Sequence, residues 1–168
     1  MNAQLDQVLK NQQKQISSPH TNDKAKEEEI IQLVGFIVGD EEYAIPILNI
    51  QEIIKPIEYT RVPSTPDYVL GVFNLRGNVI PLIDLRKKFH LPSAEQTEDT
   101  RYIVMKEGEN IAGFVIDKLT EAIRLRVSQI DPAPETLHND KGMISGIGKR
   151  ENTILTLLKV DVLLKRDF

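Results

Sequence analysis

The sequence predicts a mainly β fold made of two small barrels, and three observations support this prediction. From Ile30 onward the chain is rich in Ile, Val and Leu. Its apolar residues form short β-branched runs that are broken by turn residues about every eight to twelve positions, as in all-β proteins. These runs also fall into two sets with a similar order of elements.

The first 29 residues do not share this pattern. Residues 1–29 are rich in Asn, Gln and charged side chains and contain few large apolar ones. Such a segment cannot bury enough surface to offset the entropy lost on ordering. We therefore predict a disordered polar tail over 1–29 and a folded domain over 30–168. Leu5, Val8 and Leu9 could form one face of a short helix, which would be marginal alone.

The first set of elements runs from Ile31 to Phe89. Gly77 followed by Asn78 suits a tight hairpin, in which positive φ is required. Prolines between the third and fourth strands indicate a loop there, because proline removes a ladder donor. The predicted elements are the strands Ile31–Val38 and Glu42–Pro46, a helical turn at Ile47–Ile50, the strands Gln51–Lys55, Val69–Leu75 and Val79–Leu85, and a short helix at Arg86–Phe89.

The second set repeats the order of the first. The stretch that begins at Val104 aligns with the one at Phe36, and Gly146 aligns with Gly71. A duplicated barrel with five strands per half explains this repeat, although alternation shared by all β proteins is the simpler alternative. The predicted elements are the strands Tyr102–Lys106, Ile111–Ile116 and Glu121–Val127, a rigid loop Asp131–Pro134, a hairpin of Met143–Lys149 with Thr153–Val160, and a closing helix Asp161–Arg166.

Composition excludes several classes of function. The chain has 21 basic and 25 acidic side chains, a net charge of −4, which is unfavourable for a non-specific nucleic-acid binder. It has no cysteine, so disulfides, thiolate metal sites and a cysteine nucleophile are excluded. Its apolar runs are shorter than the ~20 residues of a membrane span, and the N-terminus lacks the pattern of a signal peptide. The three histidines are scattered, so a metal site is not predicted.

Catalytic motifs are also missing from the sequence. The glycine-rich stretch Gly142–Arg150 lacks the spacing of a phosphate-binding loop and is interpreted as a hairpin. The paired carboxylates fall in turns or in the tail, where no sheltered cleft would perturb their pKa. Asp84 and Asp117 lie among apolar residues, and we expect them to cap turns or accept backbone N–H groups. A small enzyme with a site assembled over long range is the alternative.

The most informative segment is the apolar stretch from Val69 to Leu85. Arg76 lies at its turn, between two very apolar strands. An arginine there either contacts a protein partner through its planar donor fork or extends from the strand end into solvent. Gly71 within the first of these strands indicates a bulge or a close backbone approach.

This segment carries a family resemblance. The residues from Gly71 to Gly77 (GVFNLRG), followed by PLIDL from Pro81, resemble the signature of the CheW-like domain family. Three further stretches fit the same family. The first is the run from Gly39 to Ile47 together with Ile50-Gln-Glu-Ile, and the second is Arg61-Val-Pro together with the Thr-Pro that follows it. The third is Ile130-Asp-Pro-Ala-Pro-Glu together with Gly146-Ile-Gly. The resemblance covers everything from about Ile31 to the C-terminus.

The resemblance implies two five-stranded SH3-like β-barrels packed on each other. It further implies a cytoplasmic, non-enzymatic adaptor of bacterial chemotaxis that needs no cofactor and no metal. Family members couple transmembrane chemoreceptors to the histidine kinase CheA. Receptor, kinase and adaptor together build arrays at the inner face of the membrane. The implied partners are the cytoplasmic receptor tip, the CheA regulatory domain and other copies of the adaptor, without nucleic acid and without insertion into the membrane.

The family's binding residues can be carried over by position. The receptor-binding candidates are Ile50, Gly71, Leu75 and Arg76. The kinase-binding candidates are Glu52 and Ile53, with Asp131 and Thr136 at the ends of a second edge. Those two ends depart from the basic and aromatic residues seen in another member, which leaves that contact open. A CheV-like or non-chemotaxis scaffold is the alternative function.

Overall fold

A computed structural model describes residues 29–133 and 142–165 of this chain. The described residues form eleven strands, two short α-helices and two 3₁₀ turns. The strands are β1 Ile30–Val38, β2 Glu41–Pro46, β3 Ile50–Ile54, β4 Val69–Leu75, β5 Asn78–Asp84, β6 Arg101–Glu107, β7 Asn110–Ile116, β8 Lys118–Arg126, β9 Ile130–Asp131, β10 Ile144–Arg150 and β11 Thr153–Leu158. The helices are α1 Leu85–Lys88 and α2 Val160–Leu163, and the 3₁₀ turns are Ile47–Asn49 and Val127–Gln129.

The strands form two sheets with the same internal order. Sheet A runs β8-β1-β2-β11-β10-β9 and sheet B runs β3-β6-β7-β5-β4. Replacing β3, β6, β7, β5 and β4 by β8, β1, β2, β11 and β10 converts sheet B into the first five strands of sheet A, which has β9 as a sixth. In each sheet one hairpin from each half of the chain meets the other in a parallel pairing, β2 with β11 and β7 with β5. This symmetry supports the predicted duplication.

The same symmetry extends to the bulges of β4 and β10. The register shifts at Gly71 in the first strand and at Gly146 in the second. An added Cβ at Gly71 would collide with the Thr60 carbonyl oxygen, and one at Gly146 would lie 2.8 Å from the Asp131 carbonyl oxygen. Each glycine therefore lets a passing backbone pair with the outer strand, as the bridge Thr60–Val72 and the strand β9 show. The bulge and close approach predicted at Gly71 are confirmed.

The core has three parts. One cluster fills the inside of sheet A around Leu33 and Leu155, and another fills the inside of sheet B around Phe73 and Tyr102. The largest cluster joins the two sheets, with Phe36 from β1 and residues of β5, β6 and β7. Burying this much branched aliphatic and aromatic surface supplies the main driving force for folding.

A polar clamp also joins the two sheets. Asp117, between β7 and β8, accepts a hydrogen bond of 2.8 Å from the Gly39 backbone N–H in the β1–β2 turn. The same carboxylate receives the Nε and Nη2 groups of Arg86 from α1, the latter at 2.7 Å. Arg86 also donates from Nη1 to the Pro92 carbonyl oxygen at 2.9 Å. The carboxylate thus fixes the β1–β2 turn of sheet A against α1, the helix that follows β5 of sheet B.

Removal of this clamp is expected to destabilise the fold. We expect Asp117→Ala to lower the free energy of unfolding by about 2–3 kcal/mol, because it leaves a half-buried guanidinium and a backbone donor without their acceptor. Asp117→Asn is the matched control: it keeps an oxygen for the Gly39 N–H and should cost less. Urea unfolding of the two variants measures both values, and equal stability of Asp117→Ala and wild type would contradict the role of the clamp.

Most predicted elements are confirmed, with some corrections. Asp84 caps α1 by accepting the Arg86 N–H at 2.9 Å, as predicted. The two predicted sets of strands are not the two sheets, because each sheet takes a hairpin from each set. Asn78 belongs to β5, and the positive φ values of that turn lie at Arg76 and Gly77. The observed β8 begins earlier than predicted, at Lys118, and β9 was not predicted. The tail over 1–28, residues 134–141 and the end of the closing helix lie outside the described residues.

Candidate functional site

The turn between β4 and β5 presents Arg76 to solvent. Leu75 pairs with Asn78, so Arg76 and Gly77 are the two central residues of the turn, with φ of 54° and 87°. Positive φ at both positions defines a type I′ turn, which matches the twist of the flanking strands. Residues other than Gly, Asn and Asp are disfavoured there. An arginine there carries backbone strain, and such strain is found most often at functional sites.

The guanidinium of Arg76 is held by Glu52 on β3. Arg76 Nη2 donates to Glu52 Oε1 at 2.8 Å, and Nε donates to Oε2 at 3.2 Å. The arginine side chain is 74% exposed and the glutamate side chain is 21% exposed. A bidentate pair fixes the plane of the guanidinium, and its remaining N–H groups stay open to water or to a partner.

The ion pair changes the acidity of Glu52. The hydrogen bond from Arg76 lowers the pKa of the Glu52 carboxyl, because it stabilises the ionised form. The pair is therefore formed above the ordinary pKa of a glutamate and is lost as the pH falls through the lowered value.

We expect Arg76→Met to return the pKa of Glu52 toward its ordinary value. The carboxyl carbon shift of Glu52, followed by NMR during an acid titration, measures both values. Arg150→Met is a control that leaves Arg76 in place and should not move the midpoint of Glu52. An unchanged midpoint in Arg76→Met would show that the pair does not form in solution.

Two further candidates lie on the same strand as Glu52. Ile50 and Ile53 are half-buried and pack against the cluster that joins the two sheets. Strand β3 is one of the two outer strands of sheet B and, among the described residues, has β6 as its single neighbour. The structure thus places Ile50, Glu52 and Ile53 on this strand and brings Arg76 to it through the ion pair with Glu52, although β4 and β3 lie at opposite ends of the sheet order. The sequence had assigned Ile50 and Arg76 to the receptor and Glu52 and Ile53 to the kinase, so these predicted surfaces meet at an ion pair.

Gly71 and Leu75 have structural roles in β4. Leu75 is 9% exposed and belongs to the core cluster inside sheet B. Gly71 is buried beneath the backbone of Thr60. Both residues therefore shape the hairpin that carries Arg76, and their assignment to a receptor contact stays a prediction.

The second predicted kinase edge lies on the other sheet. Asp131 is in β9 and forms an ion pair of 2.6 Å with Lys149, where the aspartate side chain is 49% exposed. Thr136 lies outside the described residues. The structure therefore does not bring Asp131 together with Glu52 and Ile53, which lie on sheet B.

Sequence reasoning missed two features of this edge. The first is the pairing of Arg76 with Glu52, which are 24 residues apart in sequence. The second is Val79, which follows the turn in β5 and is 68% exposed. No local pattern singled out Val79, because the four residues that follow it in β5 are all buried and the strand does not alternate.

No metal site and no membrane span are found in the described part of the chain. Within residues 29–133 and 142–165, no group of His, Asp or Glu side chains is placed to hold a metal ion. No helix there has the length and apolar character needed to cross a bilayer.

Comparison with known proteins identifies the domain. The family model of the CheW-like domain matches residues 32–168. The chain is 61% identical over 141 residues to the chemotaxis protein CheW of Helicobacter pylori, covering 84% of this chain and 86% of that protein. It resembles the crystal structure of the scaffolding protein TtCheW from Thermoanaerobacter tengcongensis with a TM-score of 0.77 and 29% identity, covering 83% of this chain and 95% of the other.

A second type of relative matches over a smaller part of its length. The chemotaxis protein CheV3 of Helicobacter pylori is 32% identical over 143 residues, but the match covers 79% of this chain and only 46% of CheV3. The family match takes in every described strand except the first two residues of β1. The chain therefore belongs to the CheW-like domain family.

Proposed function

We propose that this chain is a non-enzymatic chemotaxis adaptor that couples chemoreceptors to the histidine kinase CheA. The carrying observation is the Arg76–Glu52 pair, an exposed guanidinium held in a fixed plane at the edge of a rigid barrel. This pair lies within a domain that is similar over most of its length to chemotaxis proteins named CheW and to a CheW scaffold. An adaptor of this kind would work in the cytoplasm, at the inner face of the membrane.

The receptor surface is proposed at the β3 edge of sheet B. Ile50 supplies half-buried apolar surface on β3, and Arg76 supplies directional donors where it pairs with Glu52 of the same strand. An apolar patch flanked by a rigid arginine is the usual composition of an interface centre. Leu75 and Gly71 would contribute by holding the β4–β5 hairpin in place.

The kinase surface is proposed to have two parts. Glu52 and Ile53 would form one part beside the receptor residues, and Asp131 with Thr136 would belong to the other, on sheet A. An adaptor with one surface on each sheet can link two neighbours, and several modest contacts then add up through multivalency. Additional copies of the adaptor are proposed as further neighbours in the array.

A CheV-like scaffold is the second candidate function. The observation that favours the first is the extent of the match, since the similarity covers most of a CheW protein but under half of CheV3. The two candidates differ in which receptors and which kinase would co-purify with the chain.

Reconstitution tests the proposed coupling. Purified chain is mixed with a soluble receptor signalling fragment and CheA, and co-elution and kinase autophosphorylation are measured. We expect a ternary complex whose kinase activity exceeds that of CheA with either partner alone. A folded chain that binds neither partner would contradict the proposal. Binding of both partners without a change in kinase activity would contradict the coupling role and leave the chain as a passive scaffold.

A further inference from the structure

A second surface, separate from the Arg76 edge, is an apolar groove of about 930 Å³. The β1–β2 turn, the residues that follow α1 and the β10–β11 hairpin form its walls. None of the residues proposed above for receptor or kinase lines it. Its apolar lining includes Tyr43, Phe89, Leu91, Ile144, Ile154 and Leu158.

Ile154 is the most exposed large apolar side chain among the described residues that line the groove. It is 69% exposed and lines the groove together with Thr153, Thr156 and Leu158 of the same strand. Large aliphatic side chains exposed at the mouth of an apolar groove are typical of binding surfaces. Val79 holds the equivalent place in the β4–β5 hairpin with nearly the same exposure, 68%, but does not line the groove.

The rim of the groove beside the β1–β2 turn is acidic. Asp40, Glu41 and Glu42 all line it. Glu42 is paired with Arg150 at 3.2 Å, and Glu41 accepts the Tyr43 hydroxyl hydrogen bond at 3.2 Å. The lining also includes one lysine, Lys88, whose Nζ lies 4.1 Å from the centre of the Tyr68 ring. This rim favours an occupant with an apolar face and a positive net charge.

We propose that residues 5–16 of the same chain occupy this groove. Leu5, Val8 and Leu9 have the spacing of one face of a helix, and Ile16 continues that face. The segment carries Lys10 and Lys14 against a single acidic residue, so its net charge is opposite to that of the rim. A helix this short is marginal in water and gains stability by packing its apolar face.

The covalent connection is long enough for this arrangement. β1 begins at Ile30 and ends at Val38, which lines the groove. Its nine residues span about 30 Å at roughly 3.3 Å per residue. Residues 17–29 can cover that distance when extended. A tether of this length keeps the segment at an effective concentration on the order of millimolar, so even weak docking is populated.

Paramagnetic NMR tests the proposal on the full chain. Because the chain has no cysteine, Gln7→Cys provides a single site for a nitroxide label, on the face opposite Leu5 and Leu9. We expect the methyl signals of Ile144, Ile154 and Leu158 to lose most of their intensity when the label is oxidised and to regain it when the label is reduced. The methyl signals of Val79 should keep theirs.

Matched variants separate docking from accidental proximity. Ile154→Glu should restore the groove signals, whereas Val79→Glu, an equally exposed change in the other hairpin, should not. The triple change Leu5→Ser, Val8→Ser and Leu9→Ser should also restore them. Groove signals that do not weaken in the labelled chain, or that weaken equally in the triple variant, would overturn the proposal. Weakening only when labelled and isotope-enriched chains are mixed would assign the groove to a second copy instead.

Discussion

Arg76→Glu is expected to weaken binding to a soluble receptor signalling fragment by about 1–3 kcal/mol, the scale of a lost central contact. The change removes a guanidinium that is 74% exposed and places a carboxylate beside Glu52. The fold should persist, because the side chain is not part of any core cluster and Glu adopts the same backbone no less readily than Arg. Titration calorimetry measures the affinity, and urea unfolding checks the fold.

The charge-swapped pair identifies the cause of the loss. Arg76→Glu combined with Glu52→Arg restores an ion pair of opposite polarity across the same two strands. If the receptor contacts the guanidinium itself, the double variant should bind as weakly as Arg76→Glu. If the pair acts only by holding the hairpin, the double variant should recover affinity. Full affinity of the folded single variant would remove Arg76 from the receptor surface.

Gly71→Ala is expected to lower the free energy of unfolding by about 2–4 kcal/mol, from lost backbone hydrogen bonds and added backbone strain. Its Cβ would overlap the Thr60 carbonyl oxygen, so the loop before β4 must move away. That movement breaks two backbone hydrogen bonds of 2.8 Å between Thr60 and Val72, each worth about 1 kcal/mol. The φ of 156° at Gly71 adds backbone strain.

Gly108→Ala is the matched control for this substitution. Gly108 also has positive φ, 60°, but an added Cβ there meets open space. We expect a cost of about 1 kcal/mol from the backbone alone. Equal urea midpoints for the two variants would contradict the close approach at Gly71. Receptor binding of Gly71→Ala, measured where it is still folded, then shows whether Gly71 contributes a contact or only the shape of the hairpin.

Strands and turns could be predicted from local pattern, because burial on one face leaves a period of two in the sequence. Thus Val69–Leu75 was predicted with the boundaries observed, and the bulge at Gly71 followed from a glycine inside a strand. The assignment of strands to sheets could not be predicted in this way. Nothing in the β1–β2 hairpin indicates that β2 pairs with β11 rather than with a nearer strand.

The candidate site could be predicted only as far as local sequence patterns reach. Arg76 could be singled out because a charge at a tight turn between apolar strands is unusual. Its pairing with Glu52 depends on how β3 and the β4–β5 turn meet in space, which a local pattern does not contain. The groove beside Ile154 was also missed, since its walls come from three parts of the chain far apart in sequence.

The exchange of hairpins between the two halves of the chain has a consequence for how the molecule can be divided. A fragment ending near Leu91 would contain β1 to β5, yet it would lack the β6–β7 hairpin of sheet B and the β10–β11 hairpin of sheet A. Neither half could complete a barrel, so each should stay unfolded by itself and the two should fold only together. The two similar halves of the chain thus depend on each other to fold, as the subunits of an obligate dimer do. Unfolding of the domain should therefore be a single transition with no stable one-barrel intermediate.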